Sequence, residues 1–194
     1  MRSLFPTILI VIAIVIAACG PAPTATRVVV RIHGEVAEIV RGEPGSETVL
    51  ALFRGVHRWA AGDVTGDGHT EVVLLWSLPD RPPRIWVMRP GDDGLAPVWK
   101  GSSMAGIPLD MILGRPGETG TRLLVLEDRG ADALHLVLYR WDAFGFRGEA
   151  WGAVEPGSLA TTEDGKFSYV PGEGGRPCPV EIRGHQILVR CPLR

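Results

Sequence analysis

Turn residues interrupt this chain too often for long elements to form. Glycine occurs 25 times and proline 16 times in 194 residues, more than a helical protein carries and normal for many short strands joined by turns. Between the breaks lie short apolar runs rich in β-branched residues, the pattern of strands. No helical period lasts beyond a turn or two. The strand-like runs are residues 27–32, 35–41 and 48–53, then 56–61, 71–78, 84–89 and 96–101, then 109–113, 122–127, 134–141 and 148–154, and finally 166–170 and a hairpin near the C-terminus. Hydrophobic residues at 45% and charged residues at 22% exclude disorder. A net charge of −2 lacks the basic excess of a nucleic-acid binder, so no nucleic-acid partner is expected.

The two central groups of runs repeat after roughly 50 residues. Gly62 aligns with Gly114, Gly66 with Gly117, Asp67 with Glu118 and Thr70 with Thr121. Val72-Val73-Leu74-Leu75 aligns with Leu123-Leu124-Val125-Leu126, and Trp99 with Trp151. The repeat units lie near residues 56–104 and 108–156, inside a single all-β domain spanning 27–194.

The N-terminus is an address. Residues 1–20 read MRSLFPTILIVIAIVIAACG: Arg2, then an apolar run ending in small residues, shorter than a membrane-spanning helix needs. Ile16-Ala17-Ala18-Cys19 resembles the lipobox of bacterial lipoproteins. The resemblance implies a signal peptide over residues 1–18, lipidation of Cys19 by diacylglycerol and palmitate, and a tether over residues 19–26. The protein would then sit outside the cytoplasm, held to the cell membrane or outer membrane by its lipid. An ordinary signal peptide or N-terminal anchor that happens to contain Cys is the alternative.

Cys178 and Cys191 remain, in a compartment that permits disulfides. With Gly184-His185 as a two-residue turn, Arg183 faces Gln186, Ile182 faces Ile187, Val180 faces Val189 and Cys178 faces Cys191. That register segregates an apolar face, and a slip by one residue destroys it. A disulfide across the hairpin is expected, worth about 3 kcal/mol in the chain-entropy model; two free buried thiols are the alternative.

The stretch Gly62-Asp63-Val64-Thr65-Gly66-Asp67-Gly68-His69-Thr70-Glu71 carries oxygen-bearing side chains at alternate positions. Asp63, Thr65, Asp67 and Glu71, with the His69 carbonyl, offer the oxygens that Ca²⁺ prefers. Leu74 stands where an EF-hand needs its last glutamate, and a β-branched run follows where a helix would be. A Gly/Asp turn that binds nothing is the other reading. The pattern resembles the calcium loop of FG-GAP/VCBS-type β-propeller repeats. That resemblance implies a structural calcium ion and a propeller-like array of short antiparallel four-stranded blades, about three in this length, irregular or incomplete because a ring needs about four. The second copy has Arg115 in place of the first aspartate and keeps one carboxylate, Glu118, so no metal is expected there.

Catalytic motifs are absent from the pattern. Ser103 in Gly101-Ser-Ser-Met-Ala-Gly106 misses the nucleophile-elbow spacing. His33, His57, His69, His135 and His185 show no metal-ligand spacing. The 6 tryptophans suit packing between sheets, or a platform for carbohydrate. The reading is therefore a membrane-anchored, non-catalytic binding or scaffolding lipoprotein whose partner is an envelope protein or glycan. A cell-envelope hydrolase or carbohydrate-active protein is the alternative.

Overall fold

The computed structural model describes residues 28–33, 36–43, 45–77, 80–101, 104–116, 120–130, 133–162, 164–172 and 175–191. The expected signal segment, Cys19 with its expected tether, Ser103 and Glu118 lie outside the described residues. Those residues form an all-β chain: β1 (Val28–His33), β2 (Val36–Arg41), β3 (Thr48–Arg54), β4 (Val56–Gly62), β5 (Glu71–Trp76), β6 (Arg84–Gly91), β7 (Gly94–Trp99), β8 (Ile107–Gly114), β9 (Arg122–Asp128), β10 (Leu134–Asp142), β11 (Gly145–Val154), β12 (Gly157–Thr161), β13 (Phe167–Pro171), β14 (Cys178–Arg183) and β15 (Gln186–Val189).

Consecutive strands pair antiparallel in four meanders. The first has three strands, β1-β2-β3, and the second four, β4-β5-β6-β7. The third, β8 to β11, and the fourth, β12 to β15, share one nearly closed, barrel-like sheet of eight. A parallel contact, Trp151 against Gln186, joins them at β11 and β15. At the opposite edge Asp110 of β8 reaches across, its Oδ2 accepting the Leu159 amide of β12 at 2.9 Å.

The apolar runs explain the stacking. Strands buried on both faces read as continuous hydrophobic stretches, and β5 and β9 are of this kind. Val72 and Leu74 face the first meander, packing with Val30, Ala37 and Ile39. Val73 and Leu75, one residue out of phase, face the third and meet Met111, Leu123 and Val125. Leu124 and Leu126 then turn toward the fourth and pack on Leu159, Phe167 and Tyr169. Each meander thus shares a core with its neighbour in sequence. Among the described residues, no buried cluster joins the first meander to the fourth.

The C-terminal hairpin has the expected register: Val180 opposite Val189, Ile182 opposite Ile187, Arg183 opposite Gln186. Gly184 supplies the turn's left-handed residue, at φ +59°. Cys178 and Cys191 are bonded, with Cα atoms 4.6 Å apart. The turn does not stand free. His185 Nδ1 lies 2.7 Å from the Glu149 carbonyl, and its ring stacks on Trp151, so the hairpin tip docks on β11.

Candidate functional site

The loop between β4 and β5 is built from local polar contacts. The pair Gly62–Glu71 closes its base. Asp63 accepts the Gly66 amide at 2.7 Å and the Gly68 amide at 3.0 Å, tying the loop back on itself. Gly66 and Gly68 hold φ of +80° and +87°. A Cβ at either would meet nothing within 4 Å, so backbone conformation, not space, calls for glycine. Asp67 Oδ1 accepts the His69 amide at 3.0 Å in an Asx turn. His69 itself is exposed.

Glu71 is the centre, fully buried at 0% exposure. Its Oε2 accepts the amides of Val64 at 3.0 Å and Thr65 at 3.3 Å. Its Oε1 receives the Arg89 guanidinium from β6, through Nε at 2.9 Å and Nη2 at 2.5 Å. The same Nη2 reaches Thr65 Oγ1 at 3.1 Å and Asp67 Oδ2 at 2.7 Å. Burial pushes the Asp67 carboxyl up, but the His69 amide, Arg89 and the Thr65 hydroxyl outweigh it and hold its pKa below the ordinary carboxylate value. Burial likewise lowers the Arg89 guanidinium, and Glu71 with Asp67 more than restore it, so its pKa lies above the usual arginine value.

The expected calcium ligands therefore divide. Thr65, Asp67 and Glu71 come together around one positive charge, and that charge belongs to Arg89. Asp63 is turned to glycine amides. The donor set suits a cation, but a metal ion could take these oxygens only after Arg89 withdrew. Among the described residues, no group of three or more His, Cys, Asp or Glu is arranged to hold a metal. Arg89 was the residue missed from the sequence. Its signal was the β5–β6 register: Val72 pairs with Met88, so Glu71 falls beside Arg89.

Where the sequence alignment expects a second copy, Gly114 pairs with Arg122 as Gly62 pairs with Glu71. The sign is reversed, and the Arg122 Nε bonds Glu149 of β11 at 2.9 Å. The other buried acids are equally engaged. Glu127, at 0% exposure, accepts the Tyr139 hydroxyl and the Arg129 Nε at 3.3 Å. Asp110 accepts Arg58 Nε at 2.8 Å and the Met111 amide at 2.8 Å besides Leu159.

The chain has 2 tyrosines. Burial, reinforced by Glu127, pushes the Tyr139 phenol well above its ordinary pKa. Burial, then the nearby Glu155 charge, does the same for Tyr169. The neutral phenols favour the folded state. Their contribution is complete below the ordinary phenol value of about 10 and is lost as pH climbs from there through the raised folded values. Tyrosinate absorbance of the folded protein is thus expected to stay flat past pH 10, while the chain in denaturant titrates near 10. A normal folded titration would mean that both hydroxyls are in water.

Comparison with protein-family models finds no match to this chain, and comparison with curated proteins finds no relative.

Proposed function

We propose that this protein is a lipid-anchored, extracytoplasmic binding module of the bacterial envelope, non-catalytic and built as an incomplete propeller-type stack. The observation that carries the reading is the Cys178–Cys191 bond, set in the register that the hairpin's apolar face selects. Cross-strand disulfides belong to oxidising compartments, and the Ile16-Ala17-Ala18-Cys19 address leads to one. The four meanders, with β4 against β8 and β8 against β12, support the propeller-type part of the proposal. Its non-catalytic part is supported by the buried acids. Glu71, Asp110 and Glu127 each hold an arginine and at least one further donor, which suits structural pins better than a general acid or base.

Calcium enters the proposal in the form the loop allows. Asp63, Thr65, Asp67, Glu71 and the His69 carbonyl would hold it weakly, in competition with Arg89. Extracellular modules of this kind bind at about 10⁻⁴–10⁻³ M.

The anchor is tested by Cys19→Ser. Wild type is expected to partition with detergent and with membranes, and the variant to accumulate unprocessed or to be released. Equal release of both proteins after signal cleavage would remove the lipid from the proposal.

A further inference from the structure

The end of the second meander remote from the Asp63 loop carries a different kind of site. Trp76 closes β5 and Trp86 lies near the start of β6. Trp76 pairs with Arg84 and Leu74 with Trp86, so the two indoles are diagonal neighbours on one face of the sheet. Their centroids are 4.6 Å apart and their planes meet at 51°. Trp76 is fixed by its Nε1, which donates to the Arg54 carbonyl at 2.6 Å. Lys100, just after β7, places its Nζ 5.5 Å from the Trp86 ring centre. With Arg81 and Arg84 these residues line an open recess of about 360 Å³.

The charge of this recess stands out against the rest of the protein. The net charge is negative, and most basic side chains are held in ion pairs, from Arg31 with Glu47 to Arg190 with Glu181. Among the described residues, Arg81, Arg84 and Lys100 pair with no carboxylate. Among the described residues, no acidic residue lines the recess. On the rim, His57 Nε2 lies 2.6 Å from the Ser77 hydroxyl.

We infer that this recess binds an anionic sugar, the pyranose ring lying on the Trp76 and Trp86 faces and its carboxylate or phosphate held by Arg81, Arg84 and Lys100. Each part of the ligand answers one part of the site. Tilted indoles do not sandwich a flat aromatic base, but apolar indole surface lining a recess packs against the C–H side of a saturated ring. Unpaired guanidinium and ammonium groups form charge-assisted hydrogen bonds with an oxyanion. A few convergent polar groups in a largely apolar concavity are what small-ligand sites consist of. The inference rests on the binding-module reading and gives it a ligand class.

Calorimetric titration of the full-length protein in detergent tests it, with tetragalacturonate, glucose 6-phosphate, maltotetraose and inorganic phosphate as probes. At least one acidic sugar is expected to bind, more weakly as salt rises. Maltotetraose and inorganic phosphate should bind at least about tenfold more weakly. Which acidic sugar binds better tells a carboxylate source from a phosphate source. Arg81→Gln/Lys100→Gln changes exposed side chains only, and should cost about tenfold in affinity without moving the melting temperature. Neutral sugar binding as tightly as acidic sugar would overturn the inference, as would inorganic phosphate matching the sugar phosphate, no binding of either acidic sugar, or an unchanged double variant. Membrane partitioning of Cys19→Ser is unaffected by any of these results, so failure of the sugar site and failure of the anchor are read separately.

Discussion

Arg89→Gln is expected to lower the stability of the protein by about 3 kcal/mol, the low end of what breaking a buried ion pair costs. Glu71 has no access to water, so removing the guanidinium leaves an uncompensated carboxylate in the core. The low end applies for two reasons. The Val64 and Thr65 amides still bond Glu71, and the Arg89 side chain is one-third exposed, so solvent already screens part of its charge. Calcium should then behave differently in the two proteins. In wild type it competes with Arg89, and millimolar calcium should move the melt by a few degrees at most. In Arg89→Gln the oxygens are released, and calcium should recover much of the loss, since a ligand at a hundredfold excess over Kd adds about 2.7 kcal/mol. Asp67→Ala should abolish the calcium response in both backgrounds. Thermal melts in calcium and in chelator measure all of this. An Arg89→Gln variant as stable as wild type would mean that Glu71 is solvated. Acid should act on the same cluster. The lowered Asp67 pKa contributes stability above the ordinary carboxylate value, and that contribution is lost as pH falls through the folded value.

The second large effect is expected at Asp110. Asp110 is 6% exposed, and its carboxylate touches three meanders at once: Arg58 from β4, its own strand β8 at the Met111 amide, and β12 at the Leu159 amide. Asp110→Ala strands two amides away from water, each costing about 1–3 kcal/mol. Arg58, half exposed, can turn to solvent and adds little. A loss of about 2–6 kcal/mol follows. Asp110→Asn keeps one acceptor oxygen and should fall between. Urea unfolding gives the magnitudes, and hydrogen exchange gives the place: the Leu159 amide should exchange faster in Asp110→Ala than in wild type. Unchanged protection at Leu159 would show that β12 is held by its pairing with β13 alone.

Much of this architecture was legible from local pattern. Continuous apolar runs such as Val72–Leu75 read correctly as strands because both of their faces are covered. The cysteine hairpin was readable to the residue because only one register keeps Cys, Val and Ile on one side. β12 went unread for the opposite reason. In Gly157-Ser-Leu-Ala-Thr161 one side chain, Leu159, enters the core, and one apolar residue makes no alternation. Missing that strand also hid the pairing of β12 with β13 that begins the C-terminal meander. At the Asp63 loop, reading residues in sequence order gathered the oxygens but not the partner for them. Arg89 lies on another strand, and only the pairing of β5 with β6 brings it to Glu71. Asp110 was invisible in the same way, since its contacts join residues from three separate meanders.

The sharing of each core between sequence neighbours sets the order in which this chain can become solid. Synthesis from the N-terminus delivers β1–β3 first, and β4–β7 next covers Val30, Ala37 and Ile39. Each arrival closes one greasy face and presents another, so the nascent chain always carries a single unfinished surface at its growing end. The last such surface is Leu124, Leu126, Leu136 and Leu138, which waits for Leu159, Phe167, Tyr169 and Ile187. Cys191 emerges after all of them. The sulfur bridge therefore clamps the hairpin that carries Ile187, the last buried residue in the chain to enter the final layer.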